Sequence, residues 1–124
     1  MARFPRVLIL GIALATIACA GRHHSKPEPV SDIPLKVTNH NWLDVTIYVL
    51  HDGQRTRIGQ VTGSAAQEFV LPWRLLGQSH ELELLGEAIG SPAFARTEVL
   101  NIQPVQFIEW TLETDLRRSS VGVY

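Results

Sequence analysis

Most of the chain alternates between apolar and polar positions with a period of two. The clearest run covers 44–51, where every second residue is Val or Ile. β-branched and aromatic residues at this spacing favour a pleated strand over a helix. Asp52-Gly53 follows the run at once, and this pair predicts a tight hairpin whose second strand covers 54–61.

The same reasoning extends to the rest of the chain, with Pro72 to Gly77 interpreted as a single turn or a loop and 86–92 as an irregular stretch. The predicted strands cover 35–38, 44–51, 54–61, 66–71, 80–85, 94–102, 105–113 and 119–124. Short strands at a spacing of about 8–12 residues predict an antiparallel sandwich or barrel. An isolated sheet buries too little surface, so we expect an all-β antiparallel β-sandwich of seven or eight strands. Immunoglobulin-like and transthyretin-like topologies are both open.

The N-terminal segment departs from this pattern. Val7 to Ala18 is an uncharged, mostly apolar run that follows the basic residues Arg3 and Arg6 and ends at Cys19. A membrane-spanning helix needs about 20 apolar residues, and this run is shorter. A basic start, an apolar middle and small residues at the end are typical of an export signal. The sequence therefore predicts a signal peptide over 1–18 that is removed.

The residues around the predicted cleavage point indicate a lipid anchor. Thr16-Ile17-Ala18-Cys19 resembles a bacterial lipobox, although a leucine is usual where Thr16 stands. The resemblance implies that Cys19 carries the lipid as the first mature residue, and two or more acyl chains give stable attachment. An ordinary cleaved signal peptide is the alternative. Ala20 follows the cysteine, as in lipoproteins forwarded to the outer membrane, so we expect a lipid-anchored protein of the bacterial envelope, facing the periplasm.

Residues 19–34 are expected to form a lipidated tether, and 35–124 a single domain. The tether is rich in Pro, Gly, Ser and charged residues and has almost no side chains able to form a core. In a partly extended form it spans roughly 45 Å. His23-His24 lies within it, but no cysteine or carboxylate stands at ligand spacing, so no metal site is predicted.

Charge and cysteine content exclude two classes of protein. The whole chain has a formal net charge of −1, with 11 basic and 12 acidic residues. Removal of the leader, which contains Arg3 and Arg6, leaves a mature chain with a formal net charge of about −3. No basic stripe long enough to neutralise the phosphates of a nucleic-acid backbone is present, so nucleic acid is excluded as a partner. One cysteine also excludes a disulfide framework within the chain.

Motifs of catalysis are absent from the sequence. No GxSxG, HExxH or CxxC pattern, phosphate-binding glycine loop or calcium loop occurs. His40, His51 and His80 lie at or beside predicted strand ends, so a hydrolase would need one of them to meet a carboxylate and a serine in space. We expect no enzymatic activity and no cofactor.

Aromatic side chains are the candidates for binding. Trp42 lies in a polar turn before the second strand, and Trp73 lies in the other long loop. Both can cap the ends of the hydrophobic core; alternatively, together with Tyr48, they can stack on a sugar ring or anchor a protein partner. Trp110 occupies a core-facing strand position and is expected to be structural.

A small basic stripe is the second candidate surface. Arg55 and Arg57 share one face of the third predicted strand. They can pair with glutamates across the sheet, each exposed pair contributing at most about 1 kcal/mol. Alternatively, they can bind an anionic polymer of the envelope.

Two sequence segments carry a wider resemblance. VTNHNWLDVTIYVLHDGQRTRIGQV, at 37–61, and IQPVQFIEWTLE, at 102–113, resemble small bacterial lipoproteins that carry one β-sandwich and have no assigned activity. The resemblance implies architecture and location only. The leading hypothesis is a membrane-anchored envelope lipoprotein whose β-sandwich is a structural or protein-interaction module. A module that binds carbohydrate or cell-wall polymer is the alternative.

Overall fold

The computed structural model describes residues 31–124, which form nine strands and two short 3-10 helices. The predicted signal peptide 1–18, Cys19 and nearly all of the tether lie outside the described residues. The strands are β1 (Ile33–Asn39), β2 (Val45–His51), β3 (Gln54–Val61), β4 (Ala66–Leu71), β5 (Glu81–Ala88), β6 (Phe94–Arg96), β7 (Leu100–Asn101), β8 (Ile108–Leu112) and β9 (Ser120–Val123). The 3-10 helices cover Trp73–Leu76 and Leu116–Arg118.

These strands form two sheets around one hydrophobic core, which confirms the all-β prediction. One sheet has the order β4-β1-β8-β9, and the other has the order β3-β2-β5-β6, with β7 pairing along β5. All pairs are antiparallel except β1 and β8, which run parallel with Leu35 opposite Ile108. The expectation of a wholly antiparallel fold is therefore wrong at this one pair.

The predicted inward faces are confirmed. Val45, Ile47 and Val49 of β2 are all at most 1% exposed. Trp110 of β8 is 2% exposed and lies against Gly86 of β5, where an added Cβ would stand 3.2 Å from the indole. The large indole therefore fits because the facing strand has no side chain at that point.

The predicted hairpin is also confirmed. Asp52 and Gly53 join β2 to β3 with φ values of 48° and 73°, as a two-residue turn with both central residues in the left-handed region requires. The pairing shifts by one residue between Ile47 and Tyr48, so β3 carries a bulge.

Three predicted boundaries are wrong in the C-terminal half. The strand expected at 105–113 begins only at Ile108, because Val105 lies in a turn with a φ of 72°. β5 continues to Ala88, whereas 86–92 was expected to be irregular, because Gly86 pairs with both neighbouring strands. The strand expected at 94–102 is divided into β6 and β7 by Thr97. Its hydroxyl accepts the Leu84 N–H at 2.9 Å and donates to the Glu98 carbonyl at 2.8 Å, so a side chain replaces the regular ladder there.

The first strand defines two ends of the molecule. We call the end where β1 begins at Ile33 the proximal end, and the end where β1 stops at Asn39 the distal end. The 3-10 helix Trp73–Leu76 follows β4, which ends beside Ile33, and therefore lies at the proximal end. Among residues 31–124, no helix is long and apolar enough to cross a membrane.

Candidate functional site

A tryptophan stands out from the loop that joins β1 to β2 at the distal end. We call residues 40–44 the distal loop. The chain passes here from one sheet to the other, and Trp42 in the loop is 76% exposed. Transfer of a large aromatic ring out of water is favourable. Because the Trp42 ring is still exposed, this favourable free energy is available to an intermolecular contact.

The side chain of Asn39 fixes the base of the distal loop. Asn39 is only 2% exposed, and its amide nitrogen donates to the Leu43 carbonyl at 2.9 Å. Its amide oxygen accepts the Asn41 backbone N–H, also at 2.9 Å. Longer bonds from the same nitrogen reach the carbonyls of Val61 and Thr62. One buried amide therefore satisfies the backbone groups of a turn that has no strand partner.

Asn41 repeats the arrangement two residues later. It is 5% exposed, and its amide oxygen accepts the Leu43 backbone N–H at 2.9 Å. Its amide nitrogen donates to the Thr114 carbonyl at 3.0 Å, which ties the distal loop to the segment after β8. Such bonds from asparagine to the backbone two residues on are typical of Asx turns. The loop is thus held from both sides of Trp42.

The turn after β3 holds the distal loop at its C-terminal end, through Asp44. Asp44 accepts the Gly63 backbone N–H at 2.8 Å through one carboxylate oxygen and a Gln60 amide proton at 3.1 Å through the other. A Cβ at Gly63 would collide with the Trp42 carbonyl oxygen, so a residue without a side chain is required. The backbone that carries Trp42 is consequently packed against two separate segments and is pre-organised.

The second candidate tryptophan has a different environment. Trp73 is partly buried, packs against the hydrophobic core, and lies with its ring centroid 5.0 Å from that of His80. Its backbone N–H donates to Asp32 at 3.2 Å. The expectation that both tryptophans cap the core therefore holds for Trp73 and is wrong for Trp42. Because these two side chains lie at opposite ends of the molecule, they do not form one sugar site with Tyr48.

The predicted basic stripe lies on the outer face of the β3-β2-β5-β6 sheet. The Arg55 guanidinium carbon stands 3.7 Å from the Tyr48 ring centroid, and its nitrogen is 2.6 Å from Glu87. The polar contact with Tyr48, and then the Glu87 carboxylate, raise the pKa of Arg55 above its ordinary value. Arg57 is exposed and pairs opposite Tyr48. Arg55 therefore pairs with a glutamate across the sheet, which is one of the two predicted alternatives.

The histidines do not assemble a nucleophile. His51 Nδ1 lies 2.7 Å from the Glu81 carbonyl, and Nε2 lies 3.0 Å from the Asp52 carboxylate. His51 and Asp52 meet at the hairpin, where Asp52 has a positive φ. Ser79 lines the same cavity of about 130 Å³, but its hydroxyl donates to the Leu76 carbonyl at 3.3 Å. Both ring nitrogens are occupied, so neither activates a serine.

No group of three or more histidine, cysteine or carboxylate side chains that can hold a metal ion occurs in the part of the chain that the structure describes. His40 stands exposed in the distal loop, and His80 lies beside Trp73 at the proximal end. The predicted candidates for chemistry are therefore spread over both ends.

An apolar surface that sequence reasoning did not assign lies on the outer side of the β4-β1-β8-β9 sheet. Phe107 and Tyr124 stack with their ring centroids 5.5 Å apart, and Val70 is 65% exposed. A cavity of about 520 Å³ is lined by Pro34, Leu35, Lys36, Glu68, Phe69, Val70, Phe107, Ile108 and Glu109. The signal in the sequence was the apolar character of Val105 and Phe107, which directly precede β8.

Comparisons with known proteins add little to this description. No family model matches the chain, and no curated protein sequence matches it. Among the solved structures that match is one titled "NMR structure of the protein from Eubacterium rectale", with a TM-score of 0.45 and 13% identity. The match covers 78% of this chain and 90% of that one.

Proposed function

We propose that the protein is a lipid-anchored envelope protein whose β-sandwich, immunoglobulin-like or transthyretin-like in type, binds another envelope protein through the distal loop. The proposal combines the lipobox-like sequence that ends at Cys19 with the geometry around Trp42. The module is non-catalytic and needs no cofactor.

The observation that carries this proposal is a 76% exposed tryptophan on a loop fixed by two buried asparagines. Tryptophan is enriched among the residues that dominate binding energy at protein interfaces. A loop that is already ordered also pays less conformational entropy on association. Asn39 and Asn41 therefore prepare the surface that Trp42 presents.

The position of the distal loop suits an anchored protein. The tether joins the domain just before Ile33, and β1 then runs for seven residues to the distal loop. At about 3.3 Å per residue, this strand separates the two ends by roughly 23 Å. A lipid on Cys19 would hold the proximal end nearer the membrane and present Trp42 away from it.

A mass measurement tests the anchor. We expect the mature N-terminus to be Cys19 with a diacylglyceryl group on sulfur. Substitution Cys19→Ser should release the protein from membranes into the soluble fraction. A free Cys19 thiol in the mature chain, or a chain that starts after Ala20, would contradict lipid anchoring.

Affinity capture from detergent-solubilised envelopes tests the binding surface. The wild-type chain should recover a partner in fixed stoichiometry, and Trp42→Ala should lose it, since the anchoring ring is removed. Val70→Ala is the matched control, because Val70 is also exposed but lies at the proximal end. Equal recovery by the wild type and both variants would reject the distal loop as the binding site.

Carbohydrate or cell-wall polymer is the second candidate ligand. The observation in its favour is that polar side chains of Thr38, His40 and Ser64 line a cavity of about 370 Å³ at the same end of the molecule as Trp42. A titration with cell-wall glycans should then change the tryptophan fluorescence of the wild type but not of Trp42→Phe. No change with any polymer would reject this candidate and leave the protein-binding function intact.

A further inference from the structure

The edge strand β9 is built differently from the other edges of the two sheets. Strand β3 carries Arg55, Arg57 and a bulge. Strand β4 carries Glu68, and β6 is three residues long and carries Arg96. Charges, bulges and short length are the devices that stop sheet edges from pairing with other chains.

Strand β9 is short, at four residues, but it has neither a charged side chain nor a bulge. Its sequence is Ser-Val-Gly-Val over Ser120–Val123, without charge or proline, and its register with β8 is unbroken. It is the last strand in the order β4-β1-β8-β9, and no other strand among residues 31–124 pairs with it. Within these described residues, its outer edge is therefore unpaired and can accept a partner strand.

The hydrogen bonds show which backbone groups face that edge. Phe107 and Tyr124 exchange both backbone bonds at 3.0 Å, so they form a hydrogen-bonded pair. Such pairs alternate along an antiparallel ladder, which directs the N–H and C=O groups of Gly122 toward β8. The corresponding groups of Val121 and Val123 must then point outward, away from the sheet.

The three central residues of this edge, Val121-Gly122-Val123, are symmetric about Gly122. We propose that two copies of this chain pair antiparallel through β9, with Gly122 opposite Gly122 on the two-fold axis. Val121 then faces Val123 of the other copy, and each of these pairs exchanges both of its backbone hydrogen bonds. The surface patch is self-complementary, as a two-fold dimer requires.

Side chains on both faces fit this register. The inward-facing Val121 and Val123 are only partly buried against the core and become covered by the partner's valines. On the outer face, the Tyr124 ring lies over Gly122, where an added Cβ would stand 2.6 Å from its hydroxyl. Two facing glycines thus leave space at the axis for both tyrosine rings. This pairing requires neither the lipid anchor nor the Trp42 surface.

Sedimentation of the full chain in detergent, corrected for bound detergent, tests the pairing. We expect two protein chains per particle over a dilution series from roughly 100 to 1 µM, the range of moderate affinities. Val121→Pro removes an N–H that the isolated copy does not use, and should raise the dissociation constant at least about tenfold because each copy loses an intermolecular bond. Val121→Ala is the matched control, since it loses side-chain packing but keeps the N–H.

Each outcome decides the proposal. Two chains for the wild type and Val121→Ala, with a dissociation constant at least about tenfold higher for Val121→Pro than for either, supports pairing through β9. One chain for the wild type throughout the series, or an equal effect of both substitutions, overturns it. If Val121→Pro fails to fold, hydrogen exchange of the wild type decides instead: the Val121 and Val123 amides should exchange more slowly as concentration rises, and exchange independent of concentration overturns the proposal.

Discussion

The two loop tryptophans show how differently the two ends of one sandwich are used. At the proximal end, Trp73 rests against the core and beside the ring of His80. At the distal end, Trp42 is 76% exposed, and the buried polar groups beneath it belong to asparagines. Burial of an aromatic ring stabilises the fold, whereas an ordered but exposed ring stabilises a complex. The proximal end is therefore closed by tryptophan, and the distal end is closed by Asn39 and Asn41.

The largest effect on stability is expected from removal of the Asn39 side chain, which holds the distal loop. Asn39→Ala should lower the free energy of unfolding by about 3 kcal/mol, because it leaves the buried Asn41 N–H and Leu43 carbonyl without their partner. Chemical denaturation measures this change. The exposed Asn101→Ala is the control and should cost well under 1 kcal/mol. Equal losses for both variants would mean that the buried amide does not hold the loop.

The second largest effect on stability is expected from removal of the Trp73 ring, which covers the core at the proximal end. Trp73→Ala should lower the free energy of unfolding by about 2 kcal/mol, less than for a fully buried tryptophan because Trp73 is only partly covered. The same denaturation experiment measures it. A loss below about 0.5 kcal/mol, the range of ordinary surface changes, would contradict a role for Trp73 in closing the core.

A smaller effect of opposite sign is expected at Val105, also at the proximal end. Its φ is 72°, in the left-handed region that a β-branched residue rarely adopts, and its side chain is 89% exposed. Val105→Asn should raise the free energy of unfolding by about 1 kcal/mol, because asparagine tolerates this conformation. Thermal unfolding can detect the gain. Val99→Asn, another exposed valine, provides the control and should give no gain.

Trp42→Ala is expected to have the smallest effect on stability. The ring makes little contact with its own domain, so the free energy of unfolding should change by no more than about 0.5 kcal/mol. Denaturation in parallel with Trp73→Ala makes the comparison direct. A loss for Trp42→Ala as large as that for Trp73→Ala would show that the two ends are built alike.

The periodic parts of the fold were predictable from the sequence, and the reasons are local. Alternation fixed the inward faces of β2 and β8, and Asp52-Gly53 identified the hairpin because few residue pairs adopt two positive φ values. The division of β6 from β7 was not predictable, since it depends on the Thr97 hydroxyl reaching Leu84 on a neighbouring strand. Parallel pairing of β1 with β8 likewise depends on contacts that are distant in sequence.

The candidate site was predictable only as a set of residues. The sequence singled out Trp42 from its polar neighbours, but its loop is held by Asn41 reaching Thr114, which is 73 residues away. Asn-x-Asn before a tryptophan is a local signal for Asx turns and would have predicted an ordered loop. Pairing of Arg55 with Glu87 joins strands whose order the sequence does not give.

Photo-crosslinking from position 42 in living cells tests the central claim most directly. A benzoylphenylalanine at 42 in the full chain should form one discrete adduct with an envelope protein, because Trp42 is proposed to lie at the centre of the interface. The same probe at Val70, at the opposite end, should not form this adduct. No adduct from position 42, or the same adducts from both positions, would contradict the account.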